Sequence, residues 1–227
     1  MFLTHMRLNP GRRGTARLLA SAQRMHAAVL LGFPALDTDA ERVLWRIDQT
    51  SPHDVNLLVA SPREPDLTHV IEQAGWPTAP DATWRTRPYS PFLDRLDAGQ
   101  HWAFRVRINP VVRKRDVENG NRIVTIPHLT AAQQEGWLAE RAERLGVSFA
   151  IDGQEEPSVQ LTHRTSSSFE RRNAPQSSGR DVTIASAQLD GHLKVVDPEL
   201  LRTALRSGIG RAKAYGCGLM TLTSIRQ

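Results

Sequence analysis

The chain opens with alternating apolar and polar side chains, Phe2-Leu3-Thr4-His5-Met6-Arg7-Leu8, the period of a half-buried strand. Asn9-Pro10-Gly11 ends that run with turn chemistry. From Thr15 to Phe33 the period lengthens to that of a helix, with Leu18, Ala22, Met25 and Val29 on one stripe. His26 falls with Leu19, Leu30 and Phe33 on the flank of that stripe. Two strand-like runs follow, RVLWRID from Arg42 and VNLLVAS from Val55, then a short helical segment after Asp66. Residues 75–99 are dense in proline and turn formers, which predicts a final strand, a linker and a domain boundary near residue 97.

The second half begins again with an alternating strand, HWAFRVRI from His101. Its end, Arg107-Ile108-Asn109-Pro110, repeats Arg7-Leu8-Asn9-Pro10 and suggests duplicated domains. Thr130 and Gln133 form a capping box for a helix expected to run to Leu145, with Gly146 as its stop. Strand-like runs follow at 159–162, 182–188 and 193–196. Asp197-Pro198-Glu199 opens a helix that ends before Gly208, and the apolar run from Gly218 to Ile225 predicts a last strand. The order reads twice as β-α-β-β-α-β. The predicted class is therefore α+β, with two tandem ferredoxin-like (RRM-like) domains at 1–97 and 98–227.

Charge adds a partner class to this plan. The 227 residues carry a net charge of +5, almost all of the positive charge is arginine, and the pI is near 10.1. Guanidinium forks suit phosphates and stack on bases, so a polyanionic partner is expected. The single cysteine, Cys217, excludes an internal disulfide and predicts a reduced, cytoplasmic setting. No run is long and apolar enough for a membrane span, so a soluble protein is expected.

Three clusters give the charge a location. Gly208, Gly210, Arg211, Lys213 and Tyr215 lie in a glycine-rich segment that reads either as a phosphate cradle or as a tight connection needing positive φ. The polar stretch His163–Arg180, with Arg164, Arg171, Arg172 and Arg180, reads as a basic hairpin tip or a plain polar loop. Arg113, Lys114 and Arg115 concentrate charge after the linker. Together they suggest a basic groove for RNA.

The histidines show no H-x-x-x-H or H-E-x-x-H spacing, and no acidic cluster resembles a two-metal nuclease. Any phosphoryl chemistry is thus expected to be metal-independent, with no cofactor. His128-Leu129-Thr130 and His163-Arg164-Thr165 imitate paired H-x-T phosphoesterase motifs, but Thr130 is better explained as a helix cap and Arg164 stands where an apolar strand residue belongs. Neither half carries the aromatic signature of a general RRM. His26, by position alone, is more simply a boundary residue of its helix than a catalyst.

Read together, MFLTHMRLNP, the Met25-His26 pair, VLWRID, FRVRINPVVRKR, GHLKVVDP and GIGRAKAYGCGL resemble, in that order and over nearly the whole chain, the CasE family of CRISPR repeat-RNA endoribonucleases in type I-E Cascade. The resemblance implies two ferredoxin-like domains that bind a repeat stem-loop and cut at the 3′ base of its stem. It also implies that the product is held by the protein as one of several Cascade subunits. It puts His26 at the catalytic histidine position, Arg171 and Arg172 on the basic pair beside the scissile phosphate, and Gly208–Gly218 on the glycine-rich loop. Some members carry tyrosine three residues before the histidine, where this chain has Gln23. Either another group such as Tyr215 assists, or His26 acts largely alone. The alternative is a non-catalytic RNA-binding scaffold in which His26 is structural.

Overall fold

In a computed structural model, the N-terminal alternation forms β1, Phe2–Leu8, with Met6 and Leu8 buried and His5 and Arg7 exposed. The structure describes residues 1–34, 42–78, 84–116, 121–150, 157–171 and 180–225, with the backbone alone at 116, 167–171 and 180–183. Two compact units form: Met1–Asp97 with Arg202–Leu219, and Ala98–Leu201 with Met220–Gln227. The glycine-rich segment, late in the chain, therefore packs into the first unit.

In the first unit β1 lies inside an antiparallel sheet ordered β2 (Leu44–Ser51), β3 (Asp54–Ser61), β1, β4 (Arg85–Pro88). This is the ferredoxin-like order, with the first and third strands central. Between β1 and β2 run α1, Arg13–Leu19, and α2, Ala22–Leu30. The periodicity predicts one helix here, but Ser21 interrupts it. Its backbone is extended (φ −148, ψ 112), and its hydroxyl accepts the Arg24 N–H, capping α2. Leu18, Met25 and Val29 still reach the core, while Leu19 is left 39% exposed. α3, Thr68–Ala74, connects β3 to β4, and His69 Nε2 donates to the Ala28 carbonyl at 2.7 Å, tying α3 to α2. A short α4, Ser90–Leu93, follows β4.

The second unit repeats the plan. Its sheet is ordered β11 (Met220–Thr223), β5 (His101–Ile108), β10 (Arg180–Val195), β8 (Val147–Ser148), and β9 (Val159–Arg171) also pairs with β10. Asn9-Pro10 and Asn109-Pro110 thus each follow the first strand of a sheet of the same order. Between β5 and β8 come β6 (Val111–Asp116) and β7 (Arg122–Pro127), a separate two-stranded ribbon, then α5 (Ala131–Ala139) and α6 (Ala142–Leu145). α7, Pro198–Ser207, leads to the glycine-rich segment.

Three expectations need correcting here. The helix opened by Thr130 does not run unbroken to Leu145. The Arg141 guanidinium sits 3.7 Å over the Trp137 ring and donates to the Trp137 carbonyl, while the Arg141 amide turns to Leu138 instead, closing α5 early. The described part of the polar stretch after His163 is strand, paired from Arg164↔Ala187 to Arg171↔Arg180. Finally, the separate runs at 182–188 and 193–196 are one continuous β10, with a register shift at Gln188/Leu189. Both ends of the predicted helix hold: Thr130 and Gln133 exchange both capping-box bonds, and Gly146 closes α6 at φ +68.

Candidate functional site

The amphipathic period of α2 sends Met25, Ala28 and Val29 into the core and leaves His26 half-buried on the flank. Burial pushes the His26 imidazole below its ordinary pKa of 6.5, because the cation loses solvation. Trp45, on β2, reaches the same spot from the sheet: its indole N–H donates to His26 Nδ1 at 3.3 Å. Trp45 itself is 3% exposed and packs in the core with Met25 and Val29.

The glycine-rich segment wraps the edge strand β2. Positive φ occurs at Gly208, Gly210, Gly216 and Gly218, and also at Ala212. A Cβ at Gly208 would come within 2.7 Å of Leu44 Cδ2, and one at Gly216 within 2.7 Å of Trp45 Cζ3. These two glycines are therefore required by close packing as well as by backbone conformation. Beyond them, the Leu219 carbonyl accepts from Arg46 Nη1 at 2.8 Å. The segment is thus held to β2 through the side chains of three successive residues, Leu44, Trp45 and Arg46.

Within it, a 3₁₀ turn at Lys213–Tyr215 packs against both α2 and β2. Lys213 is half-buried, and desolvation first, then the charge of Arg42, pushes its ammonium down. Arg211 is exposed beside the turn. The turn that carries Lys213 and Tyr215 therefore stands against the helix of His26 and the strand of Trp45, with left-handed backbone at Gly210 and Ala212 beside it. An imidazole and an ammonium can bind a phosphodiester and move a proton.

The remaining candidates belong to the second unit. Arg113, Lys114 and Arg115 lie exposed on β6, opposite Thr125, Val124 and Ile123 of β7. Arg164 is exposed on β9 and donates to the Leu129 carbonyl at 3.1 Å. Arg171 closes β9 directly opposite Arg180, which opens β10. Arg172 lies outside the described residues. Gln23 is exposed on α2.

Among the described residues no group of three or more His, Cys, Asp or Glu is placed to hold a metal ion, and no helix is long and apolar enough to cross a membrane. The residue that sequence reasoning missed is Trp45. Its only signal was a tryptophan on a core strand, a position that packing alone explains.

Known proteins share this architecture. CRISPR-associated endoribonuclease Cse3 of Thermus thermophilus is 31% identical over 98% of this chain and 99% of its own length. CRISPR system Cascade subunit CasE of Escherichia coli is 25% identical over 80% of this chain and 89% of its own. A solved structure of the CRISPR endoribonuclease Cse3 bound to 19-nt RNA is similar with a TM-score of 0.78 and 30% identity, covering 99% of this chain and 100% of that one. The sequence profile of the family described as CRISPR associated protein matches residues 1–224, and to that family the chain belongs.

Proposed function

We propose that this chain is a CRISPR repeat-RNA endoribonuclease that binds the repeat stem-loop, cuts at the 3′ base of the stem and stays on the product as one subunit of a Cascade complex. The observation that carries this reading is the convergence of half-buried His26 with the glycine-rich segment and its 3₁₀ turn. Support comes from the family: Cse3, similar over the whole chain, is named an endoribonuclease and is seen bound to RNA, and CasE is named a Cascade subunit.

The chemistry requires neither water nor metal. The 2′-oxygen upstream of the scissile bond attacks phosphorus in line, losing its proton as the new O–P bond forms. The bond from phosphorus to the 5′-oxygen breaks, and that oxygen gains a proton. The products are a 2′,3′-cyclic phosphate and a 5′-hydroxyl. His26 is the group placed to handle one of these protons. Arg171 and Arg172 would stabilise charge on the phosphorane, and Lys213 with the glycine-rich backbone would hold neighbouring phosphates. Tyr215, carried by the turn against α2, offers a phenol in place of the tyrosine that Gln23 replaces. Exposed Arg113, Lys114, Arg115, Arg164 and Arg211 suit phosphate contacts along the stem, whose A-form shape and backbone dominate recognition. Arg180, across from Arg171, extends that set. The buried thiol of Cys217 suits a reducing cytoplasm, where we place the protein.

The test is single-turnover cleavage of the cognate repeat hairpin in EDTA, wild type against His26→Ala, with product ends identified. The expected result is cyclic-phosphate ends from the wild type and tight binding without cutting from the variant. Binding without cutting by both proteins would make the chain a repeat-RNA scaffold.

A further inference from the structure

We infer that Trp45 is a positioning residue for this reaction: its indole N–H holds His26 in the tautomer that carries its proton on Nε2, presenting the RNA with a donor rather than an acceptor. The inference rests on His26 being the catalyst, as proposed above.

An indole nitrogen has a hydrogen to give and no lone pair to receive one. The atom it faces must therefore accept, and that atom is His26 Nδ1, 3.3 Å away. In a neutral imidazole whose Nδ1 accepts, the hydrogen sits on Nε2. The opposite tautomer, and equally the imidazolium, would bring two N–H groups head to head.

Trp45 is not free to swing away from this contact. It is 3% exposed, and the Gly216 backbone lies so close to its six-membered ring that a Cβ there would come within 2.7 Å of Cζ3. The glycine-rich segment thereby fixes the indole, and the indole fixes the histidine. Burial of the imidazole acts in the same direction, by disfavouring the cation.

The consequence concerns which oxygen His26 serves. Nε2–H can hydrogen-bond to the 5′-oxygen and offset the charge growing there as its bond to phosphorus breaks, the proton that oxygen gains balancing the one the 2′-hydroxyl loses. Taking the 2′-hydroxyl proton at Nε2 would first require the ring hydrogen to move to Nδ1, against the indole. Other charged or titratable groups stand on the elements around α2: Lys213 and Tyr215 on the 3₁₀ turn, Arg13 and Arg17 on α1, His69 and Glu72 on α3, Arg46 and Asp48 on β2, and Arg24 on α2 itself. They set the field at the ring, so the decisive comparison changes a single N–H and leaves them in place.

That comparison uses the full-length protein with nitrogen-15 histidine, as wild type, as Trp45→Phe, and with 3-benzothienylalanine at position 45, which keeps the indole shape and replaces its N–H by sulfur. Long-range proton–nitrogen spectra report the His26 tautomer and its titration. The wild type is expected to show the Nε2–H form and a midpoint below 6.5. Both variants should show mixed tautomers and a midpoint moved upward. Single-turnover cleavage should fall by about tenfold or more, with repeat-RNA affinity held within about twofold. An Nδ1–H tautomer in a wild type that cuts RNA overturns this inference alone, as does a benzothienyl protein that keeps both tautomer and rate. A wild type with the expected tautomer that cuts no RNA overturns the nuclease reading and the positioning role together.

Discussion

Arg46 and Asp48, two residues apart on β2, face the same side of the sheet and meet as a fork, Nε to Oδ1 at 2.6 Å and Nη2 to Oδ2 at 2.8 Å. Arg46 is 1% exposed, and its Nη1 donates to the Leu219 carbonyl at 2.8 Å. The pair is thus an interior ion pair and also the tie that holds the end of the glycine-rich segment to β2. Removing one member of such a pair strands the other without solvent. Arg46→Ala is expected to cost about 3–5 kcal/mol in urea unfolding, and Arg46→Met with Asp48→Leu together less than either single change.

Two substitutions four residues apart in that segment should have opposite signs. Ala212 holds a left-handed backbone, φ 60 and ψ 32, where a side chain is strained and glycine is not. Ala212→Gly should stabilise the fold by up to about 1 kcal/mol, after the extra freedom glycine gives the unfolded chain. Gly216, at φ +77, has the Trp45 ring where its Cβ would go. Gly216→Ala should destabilise by about 1–3 kcal/mol and slow cleavage through the displaced indole. Thermal melts and single-turnover rates check both.

His26 makes stability depend on pH with a definite sign. Its folded-state pKa lies below the ordinary 6.5, so in that window the unfolded chain binds more protons than the folded one. The neutral ring's contribution is fully present above pH 6.5 and is lost as pH falls from there through the folded pKa. Replacing His26 with glutamine removes this dependence. The difference in urea midpoint between wild type and His26→Gln should move against the wild type on acidification; a constant difference would contradict the buried neutral imidazole.

Much of this architecture is legible residue by residue. The alternation in Phe2–Leu8 gives a strand because its two faces meet different solvents. Thr130 with Gln133 gives a helix start, and Asp197 another, its carboxylate accepting from the Glu199 and Leu200 amides. The breaks at Ser21 and Arg141 are not legible, because a side chain that captures a backbone group leaves the hydrophobic period unchanged. The ribbon of β6 and β7 escapes for another reason: it buries too little to impose an alternation, with Ile123 and Ile126 both exposed. His26 was visible as a flank residue. Its bond to Trp45 was not, since a donor on a strand and an acceptor on a helix become partners only once the helix lies on the sheet.

The hairpin arginines give a test of the RNA contact that does not depend on His26. The register sets Arg171 directly opposite Arg180, where β9 ends and β10 begins, so the hairpin carries two arginines at one register position. A phosphate backbone that meets such cations releases its counterions on doing so. Arg171→Ala should leave the stability of the free protein within about 0.5 kcal/mol of wild type. It should weaken repeat-RNA binding or transition-state stabilisation by about 1–3 kcal/mol, and a loss in binding should lower the slope of log affinity against log salt by about one unit. Arg172→Ala is expected to behave alike in RNA binding. Titrations of labelled repeat hairpin over a series of salt concentrations, beside single-turnover cleavage and urea unfolding of the free proteins, measure these quantities. Unchanged affinity, slope and cleavage rate would remove these arginines from the RNA contact and leave the exposed cations of β6 as its principal candidates.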